Sequence, residues 1–171
     1  MLLHRNAPGY AAVTLLVGLP LVIMLFGGIA AASLWGLQRY AYIFADAELQ
    51  QEMTYAMQRV QGDLRTARQV YLVRAGKKSR LEVAHADDQG KVQWQAYYLN
   101  NVTGVWKLVY SYDSHPLTGN HMLAGVTVET FECRKLGPNL YAVVLRGRSM
   151  VSGHSYTLRT LTYVRPGVKG G

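Results

Sequence analysis

The side chains that could do chemistry are few and widely spaced along the chain. Asp87 and Asp88 are adjacent in a sequence that favours a turn, where acidic side chains bond to their own backbone instead of forming a general acid–base pair. The five histidines have no spacing, among themselves or with Cys133, that matches a zinc site or a cysteine–histidine nucleophile. We therefore predict no catalytic residue, no metal site and no cofactor, and we expect this protein to act by association.

Two further readings of these residues follow from their positions. A calcium site in a loop near Asp87, Asp88 and Asp113 stays open beside simple turn formation. Cys133 is the only cysteine, so no intramolecular disulfide can form. Its place in an alternating segment predicts a small buried apolar residue.

Basic residues are the other group with a chemical meaning, since the formal net charge is +8. Lys77, Lys78 and Arg80 surround one predicted turn, and Arg134 and Lys135 follow a predicted strand. Such groups, interleaved with tyrosines, can hold DNA through its phosphates. The alternative is that they keep a small domain soluble and pair with acidic neighbours.

An apolar N-terminal segment precedes most of these residues in the chain. Residues 10–37 contain no charged side chain, and at about 1.5 Å per residue a helix of this length crosses a hydrocarbon core of about 30 Å. A secretory signal peptide has a shorter apolar core with small residues after it, whereas here the small residue Gly9 precedes the core. We predict a single membrane span, and we expect any proteolytic cleavage to occur before the apolar core, near Gly9.

The residues around this front end carry a family resemblance. The string G-Y-A-A-V-T-L-L-V at residues 9–17 resembles the prepilin signature of type IV pilins and type II secretion pseudopilins. The resemblance implies that a prepilin peptidase cuts after Gly9, removes a leader of residues 1–9 and methylates the new amino terminus at Tyr10. It also implies a single-pass protein of the cytoplasmic membrane, with a cytoplasmic N-terminus and an extracytoplasmic head, until the subunit enters a filament.

Four residues of the span, 10–38, bear on assembly. Thr14 stands where this family usually has a glutamate that pairs with the amino terminus of a neighbouring subunit, and family members without that glutamate tend to be minor subunits near the filament tip. The Thr14 hydroxyl can instead bond to a carbonyl one turn back. Gly28, Ala32 and Gly36 recur every four residues and predict a packing seam against other helices; the alternative is that small residues are simply common in membrane helices.

Residues 39–68 follow an amphipathic pattern that predicts a stalk helix. Steps of three and four predict one buried face made of Leu49, Met53, Ala56, Met57, Val60, Leu64 and Ala67. On the opposite face, Arg59 and Asp63 are four residues apart and can form a weak surface pair. The segment that contains Asp63-Leu64-Arg65 resembles the end of the long helix in J-type minor pseudopilins.

Period-two alternation predicts an antiparallel head over residues 69–171. The predicted strands are 69–74, 80–86, 91–99, 105–112, 125–133, 140–146 and 156–164, with turns that include 100–101 and 119–120. Two rows of alternating residues, one starting at Val92 and one at Trp106, predict that at least one row belongs to the core. The predicted fold is α+β: a long N-terminal helix, transmembrane then amphipathic, packed on an antiparallel β-sheet head, as in pilins.

The resemblance therefore implies a minor pilin or pseudopilin, not an enzyme, that helps to initiate or cap a type IV pilus-like or type II secretion filament. Its implied partners are the prepilin peptidase, other minor pilins or pseudopilins, and an assembly platform protein with its ATPase. Two alternatives stay open: a DNA-binding minor pilin of a competence pilus, and a single-pass, unprocessed, membrane-tethered binding module. The residues do not distinguish secretion, competence, adhesion and motility.

Overall fold

The computed structural model describes residues 8–86, 89–102, 104–112, 120–122 and 126–165. The chain divides into two compact units, Met1–Tyr42 and Ile43–Gly171. One helix, α1 (Pro8–Thr66), contributes residues to both units and continues through Pro20. The helix ends at Thr66, two residues before the predicted end of the stalk helix at residue 68, and the first strand begins at Gln69.

The described part of the second unit contains eight strands in two antiparallel sheets. In chain order they are β1 (Gln69–Arg74), β2 (Arg80–Ala86), β3 (Val92–Val102), β4 (Val105–Tyr112), β5 (Asn120–Met122), β6 (Val126–Lys135), β7 (Leu140–Ser149) and β8 (Ser155–Tyr163). The first sheet has the order β1-β2-β3-β4-β5, and the second has the order β6-β7-β8. Within each sheet, every strand pairs with the next one along the chain, so each sheet consists of consecutive antiparallel strand pairs. The fold class is α+β, as predicted.

The core of this unit lies between the second half of α1 and both sheets. All seven residues of the predicted helix face are buried, which confirms the prediction. They form one cluster with residues of the first sheet, such as Leu81 and Tyr97, and of the second, such as Phe131 and Leu145. Full burial of a large apolar side chain stabilises by about 1.5–3 kcal/mol, so this stripe is the main link between helix and sheets.

The predicted turn at 100–101 is wrong. Strand β3 continues through Asn100 and Asn101 to Val102, and the described residue of the turn that follows is Gly104, with a φ of 85°. Glycine adopts this left-handed conformation without steric penalty, whereas the two asparagines pair with Lys107 and Trp106 of β4.

Of the turn predicted at 119–120, Gly119 lies outside the described residues, and Asn120 begins β5. This three-residue strand pairs with β4, with Leu108 opposite Met122. Of the two predicted rows, the one containing Leu108 packs in the main core, as expected for at least one of them. Ala96 and Tyr98 of the other row lie on the opposite face of the sheet, where they form a separate small cluster with Val109.

Candidate functional site

The most unusual surface of the chain is the first part of α1. Between Val13 and Leu37, each large apolar side chain is between 52% and 77% exposed. The most apolar window of the helix has a mean hydropathy of 2.4, and none of it is buried within the described chain. Contiguous apolar surface of this extent is not stable in water and must be covered by lipid or by other protein. The helix is long and apolar enough to cross a membrane.

One polar side chain of this segment, Ser33, is satisfied within the helix, as a nonpolar surrounding requires. The Ser33 hydroxyl donates to the Ile29 carbonyl at 2.8 Å, one turn back in the same helix. At the end of the segment, the Arg39 guanidinium lies 5.4 Å from the centre of the Trp35 ring. Tryptophan and arginine are both typical of the boundary between the hydrocarbon core and water.

The predicted processing and assembly residues all lie on α1. Gly9 and Tyr10 are in its first turn, while the rest of the leader, apart from Pro8, lies outside the described residues. Thr14 is exposed one turn later. The residues of the predicted seam, 28, 32 and 36, share one face of the helix, and no atom lies within 4 Å of a Cβ built on either glycine. The seam is therefore open to close approach by another helix.

In the second unit, two residues that the sequence analysis did not group with it contact Asp46 of α1. His154 Nδ1 lies 2.7 Å from one carboxylate oxygen, and the Ser152 hydroxyl donates to the other. These bonds, the hydroxyl of Ser152 first and then His154, lower the pKa of Asp46. Because the serine and the histidine both contact the carboxylate, the imidazole does not lie between them as it does in a serine–histidine–aspartate triad. The cluster ties the helix to the β7–β8 turn.

Arg59 and Asp63 do not act as the simple surface pair that was predicted. The Tyr97 hydroxyl donates to Asp63 and also bonds to Arg59, so it lies between the two charges. Burial and the charge of Asp63 raise the pKa of Tyr97 well above its usual range. Burial opposes the charge on Arg59, but bonds to Tyr55 and Tyr97 outweigh it and raise the pKa of the guanidinium. The guanidinium also lies 4.8 Å from the Tyr110 ring centre.

Two of the predicted DNA-contact residues line one groove with aromatic side chains. The Lys78 ammonium lies 3.2 Å from the centre of the Trp106 ring, and the Arg80 guanidinium lies 5.4 Å from that of Tyr98. Arg80 also pairs with Glu82 at 2.9 Å. The groove has a volume of about 800 Å³ and is lined by Val73, Arg74, Lys78, Arg80, Glu82, Tyr98, Leu99 and Trp106.

The other predicted contact residues lie on an adjacent segment. The backbone around Lys77 pairs with β6: the Phe131 amide donates to the Lys77 carbonyl at 3.0 Å, and the Ser79 amide donates to the Phe131 carbonyl at 2.8 Å. Arg134 and Lys135 end that same strand. Arg134 pairs with Glu132 at 2.5 Å. The fold thus brings the two basic groups to neighbouring segments but neutralises one arginine in each.

Cys133 is buried, as predicted, and burial raises the pKa of its thiol to about 12. Among the residues that the structure describes, no three histidine, cysteine, aspartate or glutamate side chains meet in a way that could hold a metal ion. The proposed calcium residues Asp87, Asp88 and Asp113 lie outside the described residues.

Comparison of the chain with known protein families, with curated proteins and with solved structures found no match.

Proposed function

We propose that this chain is a minor subunit of a type IV pilus-like or type II secretion filament, of the J-like kind. In this proposal the first part of α1 anchors the subunit in the cytoplasmic membrane, and a prepilin peptidase cuts after Gly9. The anchor then leaves the lipid for a bundle of similar helices near the filament tip. An assembly platform protein with its ATPase drives this transfer.

The bare apolar surface of residues 13–37 is the observation that carries the proposal. A helix whose large side chains are all at least half exposed is compatible both with lipid and with a bundle of like helices, because both cover it without a directional bond. The open seam at residues 28, 32 and 36 favours close approach of such helices. The fold class supports the same assignment, since one face of the helix lies under antiparallel sheets.

The decisive experiment is to determine the amino terminus of the full-length chain in cells with and without a prepilin peptidase. We expect mature protein that begins at a methylated Tyr10, and full-length protein when the peptidase is absent. Gly9→Val should block the cut. Gly18→Val is the matched control, because a Cβ at Gly18 meets no atom within 4 Å. An unprocessed chain in cells with active peptidase would instead identify an ordinary membrane-tethered binding module.

Thr14 tests the tip position separately from processing. A subunit with no neighbour ahead of it has no amino terminus to neutralise, so Thr14→Glu should leave tip incorporation intact or improve recruitment. Incorporation can be measured by crosslinking the variant to other minor subunits in intact cells. Loss of assembly with normal cleavage after Gly9 would contradict the tip position but not the family.

DNA contact is a second candidate function, favoured by the fact that the segment of Lys77 and Lys78 lies beside β6. The ion pairs of Arg80 and Arg134 with glutamates weaken it. Binding through phosphates would fall steeply as salt is added. No binding of DNA by the full-length protein in detergent at low salt would eliminate this role.

A further inference from the structure

As far as the structure describes the chain, the two sheets have four edges, and three of them are protected against pairing with another chain. Strand β5 has only three residues, and β1 has six with a shift of register between Leu72 and Arg74. The free edge of β6 is covered by the segment around Lys77 through two backbone hydrogen bonds. Short strands, irregular register and covering segments are the usual means by which proteins prevent edge-to-edge association.

The fourth edge, β8, has none of these protections. Its nine residues pair with β7 without a shift of register, and they include no proline and no glycine. In the described part of the chain, β8 forms no backbone hydrogen bond on its other side. Alternate residues from Ser155 to Tyr163 are exposed, and Leu161 and Tyr163 are each more than half exposed. A long, regular and open edge is a template for one more strand.

Charge at this edge restricts what can occupy it. Arg159 is the central residue of β8, and Arg65 and Arg165 line an adjoining hollow of about 540 Å³ with Thr66, Leu161 and Tyr163. None of these three arginines is in an ion pair within the part of the chain that the structure describes. A second copy that paired along the full strand in antiparallel orientation would place Arg159 opposite Arg159, and like charges directly opposite are destabilising.

We propose that β8 accepts an extended acidic segment of a different protein, which adds a fourth strand to the second sheet and places a carboxylate opposite Arg159. Backbone hydrogen bonds along the edge supply affinity, and the three arginines select the charge of the incoming strand. This inference rests on β8 and the arginines beside it and does not depend on the proposed function.

The test uses the full-length protein in detergent micelles and fluorescein-labelled nine-residue peptides of alternating valine and threonine, read by fluorescence anisotropy. A peptide with a central glutamate should bind about tenfold tighter than the same peptide with a central lysine. Methylation of alternate amide nitrogens gives two versions of the glutamate peptide. Only one should lose binding, because a strand presents every second amide to its partner. Equal affinity of both versions would exclude strand pairing.

Two charge variants test the role of Arg159. Arg159→Glu should reverse the preference, so that the lysine peptide binds tighter than the glutamate peptide. Lys77→Glu makes the same change of charge at the opposite edge of the sheet and should leave the preference intact. Equal effects of both variants would mean that the net charge of the protein attracts the peptide, which overturns the proposal. Sedimentation that shows wild-type dimers, lost in Arg159→Glu, would overturn it in favour of a second copy.

Discussion

Gly147 of β7 is the described glycine with the least room for a side chain. A Cβ at this position would lie 2.7 Å from the Met53 sulfur and 3.0 Å from a methyl carbon of Val126. Met53 is fully buried on the face of α1 that packs against the sheets, so its thioether cannot move into solvent. We therefore predict that Gly147→Ala forces the Met53 side chain to repack within the core between helix and sheet. Overpacking of this kind lowers the free energy of unfolding by about 1–3 kcal/mol. The better strand propensity of alanine offsets about 0.5–1 kcal/mol of this loss.

A double-mutant cycle isolates the contact from the other effects of each substitution. Met53→Ala alone should destabilise by about 2–5 kcal/mol, because it leaves a cavity in the core. In that background the closest obstacle to a Cβ is gone and only Val126 remains. Gly147→Ala should then be neutral or stabilising by up to about 1 kcal/mol. The coupling free energy is thus expected to be about 1–3 kcal/mol.

Urea unfolding of the full-length protein in micelles, followed by tryptophan fluorescence, measures all four proteins of the cycle. Gly137→Ala is the matched control, because its Cβ would meet only Leu140 Cβ at an ordinary 3.7 Å, and it should change the free energy of unfolding by less than about 0.5 kcal/mol. If Gly147→Ala destabilised equally with Met53 present and absent, the close approach of helix and sheet would not be what requires glycine.

Three other predictions concern polar and titratable groups of the second unit. The bonds to Ser152 and His154 lower the pKa of Asp46 in the folded protein. The ionised carboxylate therefore stabilises the folded state at any pH above the ordinary pKa of 3.8 that it has in the unfolded chain. This stabilisation is lost as the pH falls through the lowered pKa of the folded state. In thermal melts, the wild-type protein should have a higher Tm than Asp46→Asn at pH 7, and the two Tm values should converge below pH 4. A difference in Tm that does not change with pH would refute this linkage. Iodoacetamide should label Cys133 slowly at pH 8 and rapidly once urea unfolds the protein, since the buried thiol has a pKa of about 12; rapid labelling of folded protein would contradict its burial. Tyr97→Phe should destabilise by about 1–3 kcal/mol in the urea assay, because a buried hydroxyl between two charged groups is lost; a change below about 0.5 kcal/mol would show that water replaces it.

The buried face of α1 could be predicted residue by residue from the sequence, and the reason is local. A helix repeats every 3.6 residues, so the residues that share its apolar side follow from spacing alone, whatever surface covers them. Met53 and Leu64 are examples, since both are fully buried. The strands were predictable for the same reason, because alternation has a period of two.

The turns were less predictable because several residue types favour a turn, and β5 was less predictable because it is short. Two successive asparagines indicate a turn by composition, yet Gly104, four residues after the first of them, is the residue with a positive φ. Strand β5 has three residues, which is too short for alternation to be distinguished from chance. Its pairing with β4 is set by tertiary structure.

The polar contacts could not be predicted because each joins residues distant in sequence. Asp46 and His154 are 108 residues apart, and neither has a neighbour that indicates the other. Arg59 was expected to pair with Asp63 because they are four residues apart on a helix, but Tyr97 of β3 lies between them. A side chain supplied by another element thus replaced a contact that helix geometry alone would have allowed.

Two uncovered surfaces within the part of the chain that the structure describes differ in what can cover them. The apolar segment of α1 needs only a nonpolar surrounding, which lipid supplies without forming any specific bond. Strand β8 exposes backbone donors and acceptors at the spacing of a strand, which water satisfies and which an added strand could pair with. Lipid would therefore cover the helix but would not pair with β8, so strand addition to β8 is possible whether or not the chain is processed. The peptide experiment and the analysis of the amino terminus accordingly test independent properties of the same molecule.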